Sequence, residues 1–230
     1  MGAGQAATRT HAPAAAPAAG LRLLYGGTFD PVHDGHLAIA RHAHRALDTM
    51  VWLMPAADPP HKPPPGADAA QRVRMLELAI DGEAGLALDR RELAHDGPSY
   101  TVATLRRLRA SPQGRGAVAI LIGADSFRAL DAWHEWRALF ALAHIVVAAR
   151  PGSPLDEGVP DAVADACRDR WTERPEALRA APAGRLFALR QPPTPESSSE
   201  LRRRIAAGEP WRQWVPPAVA DYIQAHGLYR

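Results

Sequence analysis

Two imidazoles three residues apart, His33 and His36, close the stretch GGTFDPVHDGH, residues 26–36, and two adjacent glycines, Gly26 and Gly27, open it. Glycines let backbone amides approach an anion with no Cβ in the way. Residues three apart at a helix start share a face, so both rings can meet one pocket. Positioned donors of this kind suit a phosphate-bearing ligand whose charge grows during reaction. The stretch is neither the dinucleotide fingerprint G-x-G-x-x-G nor a Walker loop, and no cysteine or carboxylate pattern beside it favours zinc. A glycine turn with one histidine is commonly structural; the second histidine at this spacing is what turns the reading towards chemistry.

A second anion contact is expected elsewhere, and SSSELRRRI, residues 197–205, offers one. Ser197, Ser198 and Ser199 can supply caps at a helix start, where amide dipoles favour negative charge. Arg202, one turn further, can reach the same phosphates. The plain alternative is a serine-rich linker capping a basic surface helix.

Elements must then bring these stretches together. Short apolar runs at 21–25, 50–55, 85–89, 117–123, 144–150 and 184–190 read as strands. Helical periods fall at 36–47, 71–80, 99–110, 133–142, 161–171, 198–207 and 217–226, with Ser99 as the cap of the third. The run at 117–123 is apolar throughout, as a central parallel strand covered on both faces should be. Strands alternating with helices predict an α/β fold, a doubly wound parallel sheet closed by C-terminal helices. Ligands of such sheets sit beyond the carboxyl ends of the strands. GGTFDPVHDGH falls there, between the first strand and the first helix. Residues 57–68 are too rich in proline for regular structure.

Composition limits the remaining readings. The 230 residues are 47% hydrophobic and 23% charged, ordinary for a globular protein. A net charge of +2 is too mild to argue for nucleic acid or membrane as partner. Arginines cluster at 106, 107 and 109 and again at 202–204, where a solvated helix face is the usual explanation. The single cysteine, Cys167, reads as a buried spectator. No run approaches the roughly 18 apolar residues of a membrane helix. Residues 1–20, Ala/Pro-rich and without a leucine-rich core, are expected to form a disordered tail on a cytoplasmic domain spanning 21–230. A homo-oligomer is left open.

GGTFDPVHDGH resembles the signature of the HxGH nucleotidyltransferase superfamily, carried here by His33–Asp34–Gly35–His36. SSSELR resembles the SSTxIR signature that completes its ATP site, with serine for threonine at Ser199 and leucine for isoleucine at Leu201. PPHK (59–62), QRVRMLELAI (71–80), RRELAHDGPSYTVATL (90–105), LIGADSF (121–127), WHEW (133–136), VVAARPG (146–152) and GLYR (227–230) extend the likeness to the nicotinate mononucleotide adenylyltransferases over nearly the whole chain after residue 20.

That resemblance implies adenylyl transfer from ATP to nicotinate mononucleotide, with Mg²⁺ carried on the ATP. It implies ATP contacts from Gly26, Gly27, Thr28, Phe29, His33, His36, Asp125, Ser197, Ser198, Ser199 and Arg202, of which His33, His36 and Arg202 serve catalysis. Asp125 would also reach ribose hydroxyls, although a carboxylate there equally reads as a helix cap. Trp133 would stack on the pyridine ring beside His134, and amides around Ala87 and His134 would hold the nicotinate carboxylate. Without the motif, Trp133 and His134 read as a core aromatic and a surface histidine. His61 and Lys62 would lie near the mononucleotide phosphate, though a lysine among prolines is ordinarily an exposed loop residue. Two positions depart from the pattern: Ala56 stands where asparagine is common, and His134 where tyrosine often follows the tryptophan. A protonated His134 would attract the substrate carboxylate, an attraction that weakens as pH rises. The same chemistry on nicotinamide mononucleotide or phosphopantetheine, or a nucleotide sensor without turnover, are the alternatives.

Overall fold

A computed structural model describes residues 20–57, 65–95, 97, 99–149, 155, 157–191 and 196–230. The expected tail, apart from Gly20, lies outside the described residues, as do His61 and Lys62.

The six apolar runs become β1 (Arg22–Gly27), β2 (Val51–Pro55), β3 (Leu86–Leu88), β4 (Val118–Gly123), β5 (His144–Ala149) and β7 (Leu186–Arg190), and a short strand β6 (Trp171–Thr172) joins them. They form one sheet in the order β3-β2-β1-β4-β5-β7-β6, with every pairing parallel. Between them run α1 (Asp34–Leu47), α2 (Ala69–Ala79), α3 (Thr101–Arg109), α4 (Ala124–Arg128), α5 (Leu139–Leu142) and α6 (Asp161–Cys167). Helices α7 (Ser198–Ala207) and α8 (Pro217–Ala225) close the chain.

Side chains alternate across each strand, so the sheet has two apolar faces. Leu23, Ala119, Leu121 and Val146 pack with α1, α2, α7 and α8 on one face. Leu24, Ile120, Ile122, Ile145 and Val147 pack with α3, α4, α5 and α6 on the other. The central strands β4 and β5 are buried on both faces almost throughout, as a doubly covered parallel sheet requires. Strand order reverses between β1 and β4, which opens a crevice beyond their carboxyl ends. Among the described residues, no helix is long and apolar enough to cross a membrane.

Several local readings need correction. The span 133–142 is not one helix: Glu135 adopts φ 49, and only a 3-10 turn at Trp136–Ala138 and the four-residue α5 follow. Tertiary bonds hold that bend, because both Glu135 oxygens accept from the Arg106 guanidinium, at 2.9 and 2.5 Å. Helix α6 ends at Cys167, and Trp171 pairs as the edge strand β6. Ser99 does not cap α3; its hydroxyl instead accepts from the amide of Ala57 at 3.1 Å. Arg109 is no solvated surface charge, since it donates to the carbonyls of Leu142, Gly114, Gly116 and Pro182. Cys167 is buried as expected, and burial pushes its thiol up to about 11.

Candidate active site

The crevice is lined first by glycine. Among the described residues, a Cβ on Gly26, at the end of β1, would meet only the Met54 methyl, at 3.6 Å, and one on Gly123, at the end of β4, would meet nothing within 4 Å. Neither glycine adopts a positive φ, and no described residue packs closely against either, so among the described residues the space beside both is free of side chains. Gly27 differs, because its Cβ would lie 3.0 Å from the Phe29 ring. Phe29 is only 2% exposed, so its ring is part of the core. It lies edge-on to Tyr25 and to His36.

The two imidazoles form the first turn of α1. His33 is the N-cap, and its ring nitrogen accepts from the amide of His36 at 3.4 Å. His36 returns the bond, its Nδ1 accepting from the amide of His33 at 3.3 Å. This is a capping box built from histidines in place of the usual serine and glutamate. The rings lie against each other, tilted by 31°, with centroids 3.7 Å apart. Because each Nδ1 is an acceptor, each neutral ring carries its proton on Nε2. Burial lowers the His33 pKa to about 4, which keeps that ring neutral near pH 7. Two imidazoles at a fourteen-residue helix N-terminus, one of them neutral near pH 7, make a start that suits an anion.

Helix α7 brings the second stretch to the same loop. Ser197 caps it by accepting from the Glu200 amide at 3.2 Å. The Ser198 hydroxyl donates to the Pro31 carbonyl at 3.0 Å, and Arg202 donates to the Asp30 carbonyl at 2.6 Å. Ser199 is exposed on the first turn of this helix. The two separated sequence stretches, 26–36 and 197–205, therefore converge through direct bonds.

The residues expected at the pyridine side lie on other elements. Asp125 falls in the first turn of α4, fully exposed and 3.2 Å from the Arg128 guanidinium, and is not its cap. Trp133 is half-buried against the core under α3–α6. His134 is exposed, with its ring 4.6 Å from that of Tyr100 and its Nε2 3.3 Å from Glu135. A charge on His134 is thus already faced by a carboxylate, which weakens the attraction expected for a substrate acid. Ala87 sits on β3 opposite Trp52, and Thr28 is half-buried in the loop after β1. The departure at Ala56 leaves its backbone in use: its amide donates to Gly27 at 2.9 Å and its carbonyl accepts from Arg72 at 2.7 Å.

Sequence reasoning passed over Asp30, Arg72 and Tyr229. Arg72, 1% exposed, donates to the carbonyls of Thr28, Ala56, Ala57 and Ala67, joining three segments at the crevice. Burial lowers its pKa, and Asp30 opposes that shift. The only sequence signals were a charged residue inside an amphipathic helix period and an aspartate inside the motif.

Comparison with known proteins agrees with this geometry. The sequence model of the cytidylyltransferase-like family matches residues 24–204. A protein of Stenotrophomonas maltophilia named "Probable nicotinate-nucleotide adenylyltransferase" is 56% identical over 215 residues, 91% of this chain and 97% of its own. A Xylella fastidiosa protein of the same name is 46% identical over 213 residues, covering 91% and 96%. The structure of a Plasmodium falciparum nicotinic acid mononucleotide adenylyltransferase complexed with NaAD superposes with a TM-score of 0.70 at 16% identity, covering 91% of this chain and 97% of that one, a likeness of fold. A crevice of open glycines faced by paired histidines, on a chain matched almost end to end by these relatives, places this protein in the cytidylyltransferase-like family, among the nicotinate-nucleotide adenylyltransferases.

Proposed function

We propose that this chain joins nicotinate mononucleotide to the adenylyl group of ATP by direct in-line displacement. A 5′-phosphate oxygen of the mononucleotide attacks the α-phosphorus, the bond from that phosphorus to the α,β-bridging oxygen breaks, and pyrophosphate leaves. Nicotinate adenine dinucleotide is the other product. Phosphate is already a nucleophile, so catalysis consists of positioning and charge stabilisation. The observation that carries this reading is the reciprocal histidine cap, which sets two imidazoles together at the helix start that follows β1.

In this reading the Nε2–H groups of His33 and His36 hold the triphosphate and meet the charge that develops as pyrophosphate departs. The open space at Gly26 lets the backbone close on a phosphate, and the amino end of α7 with Arg202 contacts the same group. Mg²⁺ bound to the ATP phosphates would neutralise charge on the leaving group. The donor set fits an ion carried by the nucleotide: the crevice offers nitrogen donors, and both oxygens of the buried Asp30 carboxylate already accept from Gly66, Ala67 and Tyr229. Asp125 would reach the ribose, Trp133 and His134 the pyridine, the backbone at Ala87 its carboxylate, and His61 and Lys62 the mononucleotide phosphate. In this reading an ATP-using biosynthetic enzyme works in the cytoplasm.

Pyrophosphate release with Mg·ATP tests the reading, comparing nicotinate mononucleotide, nicotinamide mononucleotide and phosphopantetheine at equal concentration. Strong preference for the first is expected. Preference for another acceptor overturns the substrate while keeping the mechanism, and ATP binding without turnover on any of them makes the protein a sensor.

A further inference from the structure

The last residues of the chain return to the motif that begins the site. After α8 the backbone reverses through Gly227, φ 61, and Tyr229, φ 64, which turns the Tyr229 ring inward. The ring lies over Gly66, where an added Cβ would stand 3.0 Å from it. Its hydroxyl donates to Asp30 Oδ1 at 2.7 Å. The same carboxylate, 4% exposed in its residue, accepts from the amides of Gly66 at 2.8 Å and Ala67 at 3.1 Å. Arg202 stands 3.6 Å from Oδ2 while its Nη1 donates to the Asp30 carbonyl.

Asp30 sits between the glycines and the histidines of the motif, so its side chain fixes the loop that carries both. An aspartate can accept about four hydrogen bonds, and three are supplied here by groups that cannot move independently of α2 or the C-terminus. Tyr229 is the one side-chain hydroxyl among them. Burial and the neighbouring carboxylate raise its pKa far above the ordinary tyrosine value, so it remains a donor throughout the working pH range.

We infer that Tyr229, the penultimate residue, is a positioning residue for adenylyl transfer. Its hydroxyl holds Asp30, and Asp30 in turn sets Arg202 against the loop between β1 and α1. The inference rests on the adenylyl-transfer reading. It assigns the C-terminal residues a part in the site although they lie beyond the 24–204 match to the family.

A double-mutant cycle tests it on the full-length protein, with Tyr229→Phe, Arg202→Ala and the double variant. Phenylalanine keeps the ring over Gly66 and removes only the donor. For Tyr229→Phe, kcat/KM for ATP should fall about tenfold, the scale of one hydrogen bond to a charged group. KM for nicotinate mononucleotide should stay within about twofold. In the Arg202→Ala background the same change should cost less than about twofold, because its effect runs through the missing arginine. The inference is overturned by an unchanged kcat/KM, by losses that multiply in the double variant, or by a loss that the unfolded fraction in a parallel melt accounts for. Absence of turnover in the unmutated protein would instead remove the adenylyl-transfer reading.

Discussion

In the proposed mechanism, His33 and His36 act at once as helix caps and as donors. A serine cap would satisfy the same helix amides but would place no second N–H beyond them. Removing the His36 imidazole should lower kcat about 10²–10³-fold, the scale of one transition-state donor, measurable as pyrophosphate release by His36→Ala. An intact rate would place catalysis elsewhere. His33 also couples the site to pH. Its folded pKa of about 4 lies below the ordinary histidine value of 6.5, so the unfolded chain binds more protons between the two. Stability therefore falls as pH drops through that window, by up to about 1.4 kcal/mol per pH unit for one histidine. Above 6.5 the effect is absent, and below 4 it is complete. Urea unfolding from pH 7 to 4 should show a shallower loss in His33→Asn than in the unmutated protein; parallel curves would contradict the burial argument.

Elements convert such residues into a site. The start of α7 matters because Ser197 satisfies an amide that would otherwise be orphaned. Ser197→Ala should cost about 1 kcal/mol, read from the urea midpoint at constant m-value. A cost near zero would mean that solvent caps this helix equally well. The misread span 133–142 teaches the same point from the other side. Its apolar residues mimic a helical period, but the bidentate Arg106–Glu135 pair and the burial of Trp136 bend the backbone there. The segment expected to meet the pyridine is therefore a turn whose exposed His134 can face a ligand.

Across the whole molecule, the buried Arg72 guanidinium ties the ends of β1 and β2 to the start of α2. Replacement by methionine keeps the stem's volume, leaves four carbonyls without their donor and removes a cation whose charge interacts with Asp30. Arg72→Met should cost about 3–5 kcal/mol, the usual effect of breaking a buried charge arrangement from one side, seen as a lowered urea midpoint. A loss below about 1 kcal/mol would show that water replaces the guanidinium freely.

Strand and helix alternation, the doubly wound sheet and the two phosphate-side stretches were legible in the sequence. Local patterns carry them: uninterrupted apolar runs such as 117–123, glycines at a strand end, and histidines or serines at a helix start. Other features have no local signature. Asp30 and Tyr229 lie 199 residues apart yet share a hydrogen bond. The burial of the Phe29 ring against Tyr25 and His36, at a positive φ of 50, likewise has no signature in the motif. The sequence by itself determined which residue types stand at the end of β1 and at the starts of α1 and α7, where the proposed triphosphate site lies. Tertiary structure decided which of them face the crevice and which buried charges hold it open, because those depend on partners that only the folded backbone brings within hydrogen-bond reach.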